Sequence, residues 1–193
     1  MARLKEFDEN EVLDKAIGLF WAKGYNGTSA QDLTECLGIS RSSLYHTFND
    51  KRTLFVMALK RHKYESVAVM CNMFKESDNV YETFKRIFQT TVAESMDCKA
   101  PKGCFLVNCA VELAPHDEEI AEIVRGNFRD VEELFSTAIK KGQEAGQISK
   151  KLNARSQGRI IFNILTGIRV AARSGADKKV LDDIIRNMLL SLQ

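Results

Sequence analysis

Proline occurs at only two places in this chain, Pro101 and Pro115, among 193 residues. Proline removes a backbone donor and breaks helices, so long uninterrupted helices can form almost anywhere else. Leu, Ile, Ala, Lys and Glu dominate the intervening stretches. Runs alternating Val, Ile and Thr, the pattern of a half-buried strand, are nearly absent. The chain is therefore expected to be all-α, and its length suits one or two domains with a real core. At 45% hydrophobic and 28% charged residues, it lies outside the compositions that stay disordered.

Cap signals place about nine helices along the chain. Asp8 is expected to open the first, with Glu11 completing a capping box, and Val12, Leu13, Ala16, Ile17, Leu19 and Phe20 form its apolar stripe. Gly24 closes it. Thr28 with Gln31 reads as a second capping box, for a short helix through Cys36. Leu37, Gly38 and Ile39 make a tight turn, and Ser40 caps a third helix over about 41–48. The segment "FNDK" breaks that helix, and a long fourth one follows over 51–74. Beyond it lie an amphipathic segment from Asn79 to Met96, a loop over 97–103, a short apolar helix from Phe105, and a long helix capped by Asp117 and running to about Ala145. Asn153–Arg173 and Asp177–Leu192 form a closing antiparallel pair. The character of the chain changes near Phe74–Val80. The expected division is an N-terminal domain over 1–50, a connector over 51–74 and a C-terminal helical bundle over 75–193.

Residues 28–48 thus spell helix, three-residue turn, helix, the layout that places a second helix in a DNA major groove. In that second helix Leu44 and Phe48 are four residues apart and face inward with Ile39. Arg41, Ser42, Tyr45 and His46 remain outside. Two serines inside so short a helix, behind the Ser40 cap, are poor choices for packing. Short hydroxyls on an outer face, however, allow close approach to a groove and bonds to phosphates and base edges. Net charge is only +2, and the whole excess lies in residues 1–63, where 10 Lys and Arg face 8 Asp and Glu. Between 41 and 63 the basic residues Arg41, Lys51, Arg52, Lys60, Arg61 and Lys63 meet one acid, Asp50.

Five cysteines, Cys36, Cys71, Cys98, Cys104 and Cys109, are an odd number with no zinc spacing and no preceding signal peptide. Reduced thiols and a cytoplasmic location are the expectation. Cys36 and Cys71 are expected as small buried hydrophobes. Cys104 differs: Lys99 and Lys102 precede it, and it stands near the start of a helix, surroundings that favour a reactive thiol. The "HDEE" run at 116–119 suits a helix-opening turn better than a metal site, and no third group completes a Cys104–His116 hydrolase. No enzyme activity, cofactor or metal is expected. No apolar run approaches the roughly 20 residues of a membrane span.

The string "AIGLFWAKGYNGTSAQDLTECLGISRSSLYHTFNDKRTLF" (16–55) resembles the N-terminal domain of TetR-family transcriptional regulators. "KGCFLVNCAVELA" (102–114) is similar to a smaller subgroup, some members of which respond to electrophiles. The resemblance makes Ser40–Phe48 the recognition helix. It implies base contacts from Arg41, Ser42 and Tyr45, and phosphate contacts from Thr28, Ser43, Tyr45, Thr47 and Lys51, with His46 near the backbone. A ligand-responsive regulator follows, most simply a repressor on a pseudo-palindromic double-stranded DNA operator. A small-molecule inducer would enter a pocket lined from Phe84, Phe88, Val92, Phe105, Asn108, Cys109, Phe128 and Phe162. A thiol sensor switched through Cys104 is the alternative. The closing helices carry apolar stripes (Ile160, Ile161, Ile164, Leu165, Ile168; Leu181, Ile184, Ile185, Met188, Leu189, Leu192). With Gly158, Gly167, Ala171 and Ala172, they imply a homodimer through about 153–192.

Overall fold

The structure, a computed structural model, describes residues 7–97 and 103–193. Among the described residues it contains nine α-helices and no strand. They are α1 (Glu9–Lys23), α2 (Ala30–Leu37), α3 (Arg41–Phe48), α4 (Lys51–Lys75), α5 (Val80–Asp97), α6 (Phe105–Glu112), α7 (Glu118–Glu144), α8 (Ala154–Arg173) and α9 (Lys178–Leu190). Side chains fix most of the starts. Ser40, Asp50, Asp117 and Asn153 each accept the N–H of the residue three further on, satisfying a donor the helix itself leaves unpaired. Two starts differ from expectation. Asp8 caps α1 through the Asn10 N–H, at 2.7 Å, rather than through Glu11. The capping box of α2 is Ser29 with Asp32, not Thr28 with Gln31. Thr28 is 1% exposed and donates its hydroxyl to the Gly24 carbonyl at 2.6 Å, closing the preceding turn.

Two apolar cores form. The first joins Val12, Leu13, Ala16, Ile17 and Phe20 of α1 to Leu33, Leu37, Leu44 and Phe48 of α2 and α3, and to Leu54, Phe55 and Leu59 of α4. Phe105, Leu106 and Cys109 of α6, with Ile120 and Val124 of α7, complete it. The second gathers α5, the later half of α7, α8 and α9 around Phe84, Phe88, Phe135, Ile161 and Leu165. Helix α4 belongs to both: its first half lies in the first core, while Val67, Met70 and Phe74 pack against the second. α7 and α8 cross closely at Gly158, where a Cβ would stand 2.9 Å from the Ser136 nitrogen and 3.0 Å from the Glu132 oxygen.

Some expected core positions are not core. Cys36 is exposed, because it falls on the outer side of α2 while Leu33 and Leu37 face inward. Ile160 and Ile184 are 48% and 37% exposed, each rotated about 100° around the helix from its buried neighbour, Ile161 or Ile185. Gly167 has no atom within 4 Å of a Cβ placed there. The expected loop over 97–103 lies mostly outside the described residues, together with Cys98, Lys99, Pro101 and Lys102. No described helix is long and apolar enough to cross a membrane.

Candidate nucleic-acid interface

The geometry of α3 begins with its two ends. Gly38 ends α2 in the left-handed conformation, φ 69° and ψ 27°, which glycine adopts without steric cost. The chain then turns within three residues into Ser40. The Ser40 hydroxyl accepts the Ser43 N–H at 3.1 Å and bonds the Ser42 and Ser43 hydroxyls, each at 2.9 Å. Leu44 and Phe48, 1% and 2% exposed, anchor the helix in the first core. With that face fixed, Arg41, Ser42 and His46 are exposed, and Ser43, Tyr45 and Thr47 are half-buried along the flanks. The Arg41 guanidinium carbon lies 5.7 Å from the Tyr45 ring centre, a cation–π contact that aligns the two side chains.

Lys51 opens α4, and its ammonium sits 4.2 Å from the Tyr25 ring centre. Burial lowers its pKa, against the opposing pull of Glu112 and then Asp32. Thr28 does not join this surface, because it is buried and its hydroxyl is bonded to Gly24. The exposed hydroxyl at the start of α2 belongs to Ser29. Asp32 bonds Ser29 and pairs with Lys23 at 2.5 Å, and these bonds hold its carboxyl far below the usual range.

The basic run also divides. Arg52 grips Asp117 with two bonds of 2.9 Å and reaches Glu119 at 3.0 Å. Lys60 pairs with Glu119 at 3.0 Å, Arg61 with Asp14 and Glu65 at 2.9 Å, and Lys63 with Asp130 at 2.8 Å. Four of the six cations therefore face carboxylates of α1, α4 and α7 rather than a common outer patch.

Residues not singled out in the sequence tie α1–α4 to the rest. The Glu112 carboxylate accepts the Asn26 N–H at 2.8 Å and the Tyr25 N–H at 3.2 Å. Trp21 donates its ring N–H to the Gly103 carbonyl at 3.2 Å. His62 packs between Trp21 and Phe105, with ring centres at 5.1 and 5.4 Å. Burial, with a smaller contribution from the Arg169 charge, pulls its pKa down to about 4. A lone Trp and a Glu ending an apolar helix were the available sequence signals, but neither names its partner.

The eight residues expected to line a ligand pocket are not gathered around one space. Phe84, Phe88 and Val92 are core between α5 and its neighbours, and Phe105 and Cys109 belong to the other core. Phe128 touches both cores, its ring 5.2 Å from that of Phe162. Burial pushes the Cys109 thiol up to about 12. Two open clefts are lined mostly by other residues. One of about 440 Å³ runs between α5 and α9 and takes Val92 into its wall. The other, of about 390 Å³, lies between α1, α6 and α8, with Asn108 and Cys104 in its wall. Among the described residues, no three His, Cys, Asp or Glu side chains are grouped to hold a metal ion.

The family profile described as "Bacterial regulatory proteins, tetR family" matches residues 12–58. "Tetracyclin repressor-like, C-terminal domain" matches 81–188, more than half of the chain. The HTH-type transcriptional regulator YezE of Bacillus subtilis (strain 168) is 36% identical over 149 residues, 77% of each chain. The HTH-type transcriptional repressor ComR of Escherichia coli (strain K12) is 30% identical over 189 residues, covering 94% of this chain and 87% of its own. Among solved structures, a cysteine mutant of the TetR family regulator CifR, complexed with 26-base-pair operator DNA, superimposes with a TM-score of 0.86. It is 24% identical and covers 99% of this chain and all of its own.

Proposed function

The chain belongs to the tetR family of bacterial regulatory proteins, and we propose that it is a homodimeric repressor, released from a pseudo-palindromic operator by a small organic inducer. The observation that carries the reading is the face of α3. Leu44 and Phe48 fix the helix, Arg41, Ser42 and His46 stand exposed on its outer side, and Tyr45 lies half-buried beside them. In this reading Arg41 makes a bidentate contact to guanine, and the short serines let the helix sit deep in the major groove. Ser43, Thr47 and Lys51 meet phosphates on either side. Lys51 leaves the Tyr25 ring to do so, helped by the positive end of the α4 dipole.

The dimer supplies two such helices, one helical turn of DNA apart. Ile160 and Gly167 of α8 and Val180 and Ile184 of α9 leave apolar surface uncovered, and they support an interface between two copies of this pair. The inducer acts by binding better to a conformation whose recognition helices no longer fit successive grooves. A cytoplasmic location follows from that role.

One observation favours a covalent second reading. Cys104 occupies the N-cap position of α6, makes no cap hydrogen bond and lies in the open 390 Å³ cleft. An electrophile would then release the wild type, while Cys104→Ser binds DNA and ignores it.

The test of the main reading is selection of DNA from a random pool, followed by a gel shift. A two-fold symmetric site should emerge, and Arg41→Ala and Tyr45→Ala should lose it while sedimenting as dimers. Unchanged affinity in both variants refutes the assignment.

A further inference from the structure

The cleft of about 390 Å³ between α1, α6 and α8 touches the DNA-binding half of the molecule directly. Trp21 and Lys23 line it from α1, Val107, Val111 and Glu112 from α6, and Arg173 from α8. Glu112 is the member with two roles. Its carboxylate faces the cleft and also accepts the backbone N–H groups of Tyr25 and Asn26, in the loop that joins α1 to α2. The fit is close, since a Cβ on Gly24 would stand 2.9 Å from Glu112 Oε2. Glu112 is also the carboxylate that acts most strongly on Lys51. The position of α2 and α3 therefore depends on a side chain in the cleft wall.

The rest of the lining indicates what the cleft takes. Its volume falls in the range of small-molecule sites, and Trp21, Val107 and Val111 give it apolar walls. Its charged groups are two cations, Lys23 and Arg173, and one carboxylate, Glu112. The Lys23 pairing with Asp32 is a surface pair of the kind worth little net energy. An anion on an apolar body matches this lining.

We propose that this cleft is an effector site for a small organic carboxylate with an apolar body, and that Glu112 is the positioning residue that passes its occupancy to the loop before α2. The proposal rests on the reading of the chain as a ligand-released repressor. A carboxylate seated against Lys23 and Arg173 places a second negative charge beside Glu112. Like charges in one cleft repel, which weakens the hold of Glu112 on the two loop N–H groups. The loop loses its anchor, and α2 and α3 lose the position that fits the groove.

Trp21 is the chain's single tryptophan, so its fluorescence reports the cleft directly. Benzoate, cinnamate and octanoate are titrated against the matching alcohols and amines, with Trp21 emission and affinity for the selected operator read in parallel. At least one carboxylate should shift Trp21 saturably and weaken operator binding about tenfold, a usual size for coupling between sites. The alcohols and amines should do neither. Glu112→Gln should keep the Trp21 response and reduce the operator effect to under about twofold. Val107→Phe, which fills the cleft, should lose the Trp21 response at an unchanged melting temperature. Alcohols or amines acting as strongly as carboxylates refute the chemistry, and a full operator effect in Glu112→Gln refutes the coupling. A compound that releases operator without moving Trp21 overturns this site but leaves the ligand-released repressor standing. If carboxylates saturate Trp21 and no compound of any class releases operator, the ligand-released reading falls and the coupling through Glu112 falls with it.

Discussion

Arg41 and Lys51 lie against aromatic rings at the outer edge of α1–α4, whereas Arg52, Lys60, Arg61 and Lys63 lie against carboxylates. The difference is one of freedom. A cation over a ring keeps its donors for another partner, because the ring takes none of its N–H groups. A guanidinium in a bidentate carboxylate pair has already used the fork that would grip a phosphate or a guanine. The first group is suited to meeting DNA and the second to holding α4 on α1 and α7. The corner between α6 and α7 is held twice: Glu112 takes the loop before α2, and Asp117 and Glu119 take Arg52 in the first turn of α4. The two histidines of the run divide the same way, His46 exposed on α3 and His62 packed between rings.

Acid should separate these histidines with the largest effect. Burial holds folded His62 down at about 4, while the unfolded chain titrates near its ordinary 6.5. Between those values the unfolded state binds more protons. The stability contributed by neutral His62 is therefore complete above pH 6.5 and is lost as pH falls toward 4. The loss approaches about 3 kcal/mol. Denaturant unfolding at pH 7, 6, 5 and 4 measures it. His62→Gln should flatten the curve over that range. The same slope in the wild type and His62→Gln would mean that the acid sensitivity comes from the carboxylate seam. There Arg52 holds Asp117, and Lys60 and Arg52 hold Glu119, below their usual ranges.

Next in size is the contrast between two arginines. Arg41→Ala should cost about 1–3 kcal/mol of operator binding, the worth of one bidentate base contact, and leave the melting temperature alone. Arg52→Ala should leave stability almost unchanged, since its pairs are solvent-exposed. Any change in operator binding in that variant should be equal across DNA sequences. If Arg52→Ala alters base preference, the division between outward and inward cations is wrong.

Local chemistry explains which features the sequence disclosed. The starts at Ser40, Asp117 and Asn153 were legible, because a cap needs only a short polar side chain and an N–H three residues on. The one-residue slip at α2 came from two adjacent hydroxyls, Thr28 and Ser29. Which of them caps depends on the turn's bond to Gly24, not on residue type. The outward face of α3 was legible from the spacing of Leu44 and Phe48. The partners of Arg52 and Glu112 were not, because they lie 65 and 86 residues away in the chain and only folding brings them together. The surroundings of Phe105 were hidden for the same reason: α6 packs beneath Trp21 and Phe55, which lie far from it in the chain.

The smallest effect tests the comparison most finely. Lys51 and Lys60 are both lysines of α4, nine residues apart, and net charge treats them alike. Lys51 lies at the helix start over the Tyr25 ring, where burial acts on it more strongly than Glu112 or Asp32 does. Lys60 is bonded to Glu119 at 3.0 Å. A lysine that meets phosphate releases a counterion on binding, so removing it makes the plot of log affinity against log salt shallower by about 0.9. Lys51→Ala should show that change equally on operator and on random DNA, because a phosphate contact carries no sequence information. Lys60→Ala should leave the slope where it was, since its ammonium is turned toward Glu119 of α7 rather than toward α3. Equal slopes for both variants, whether shifted or unshifted, would show that the pairing of a cation inside the protein does not decide whether it meets DNA. A shifted slope with altered base preference in Lys51→Ala would move Lys51 from the phosphates to the base edges.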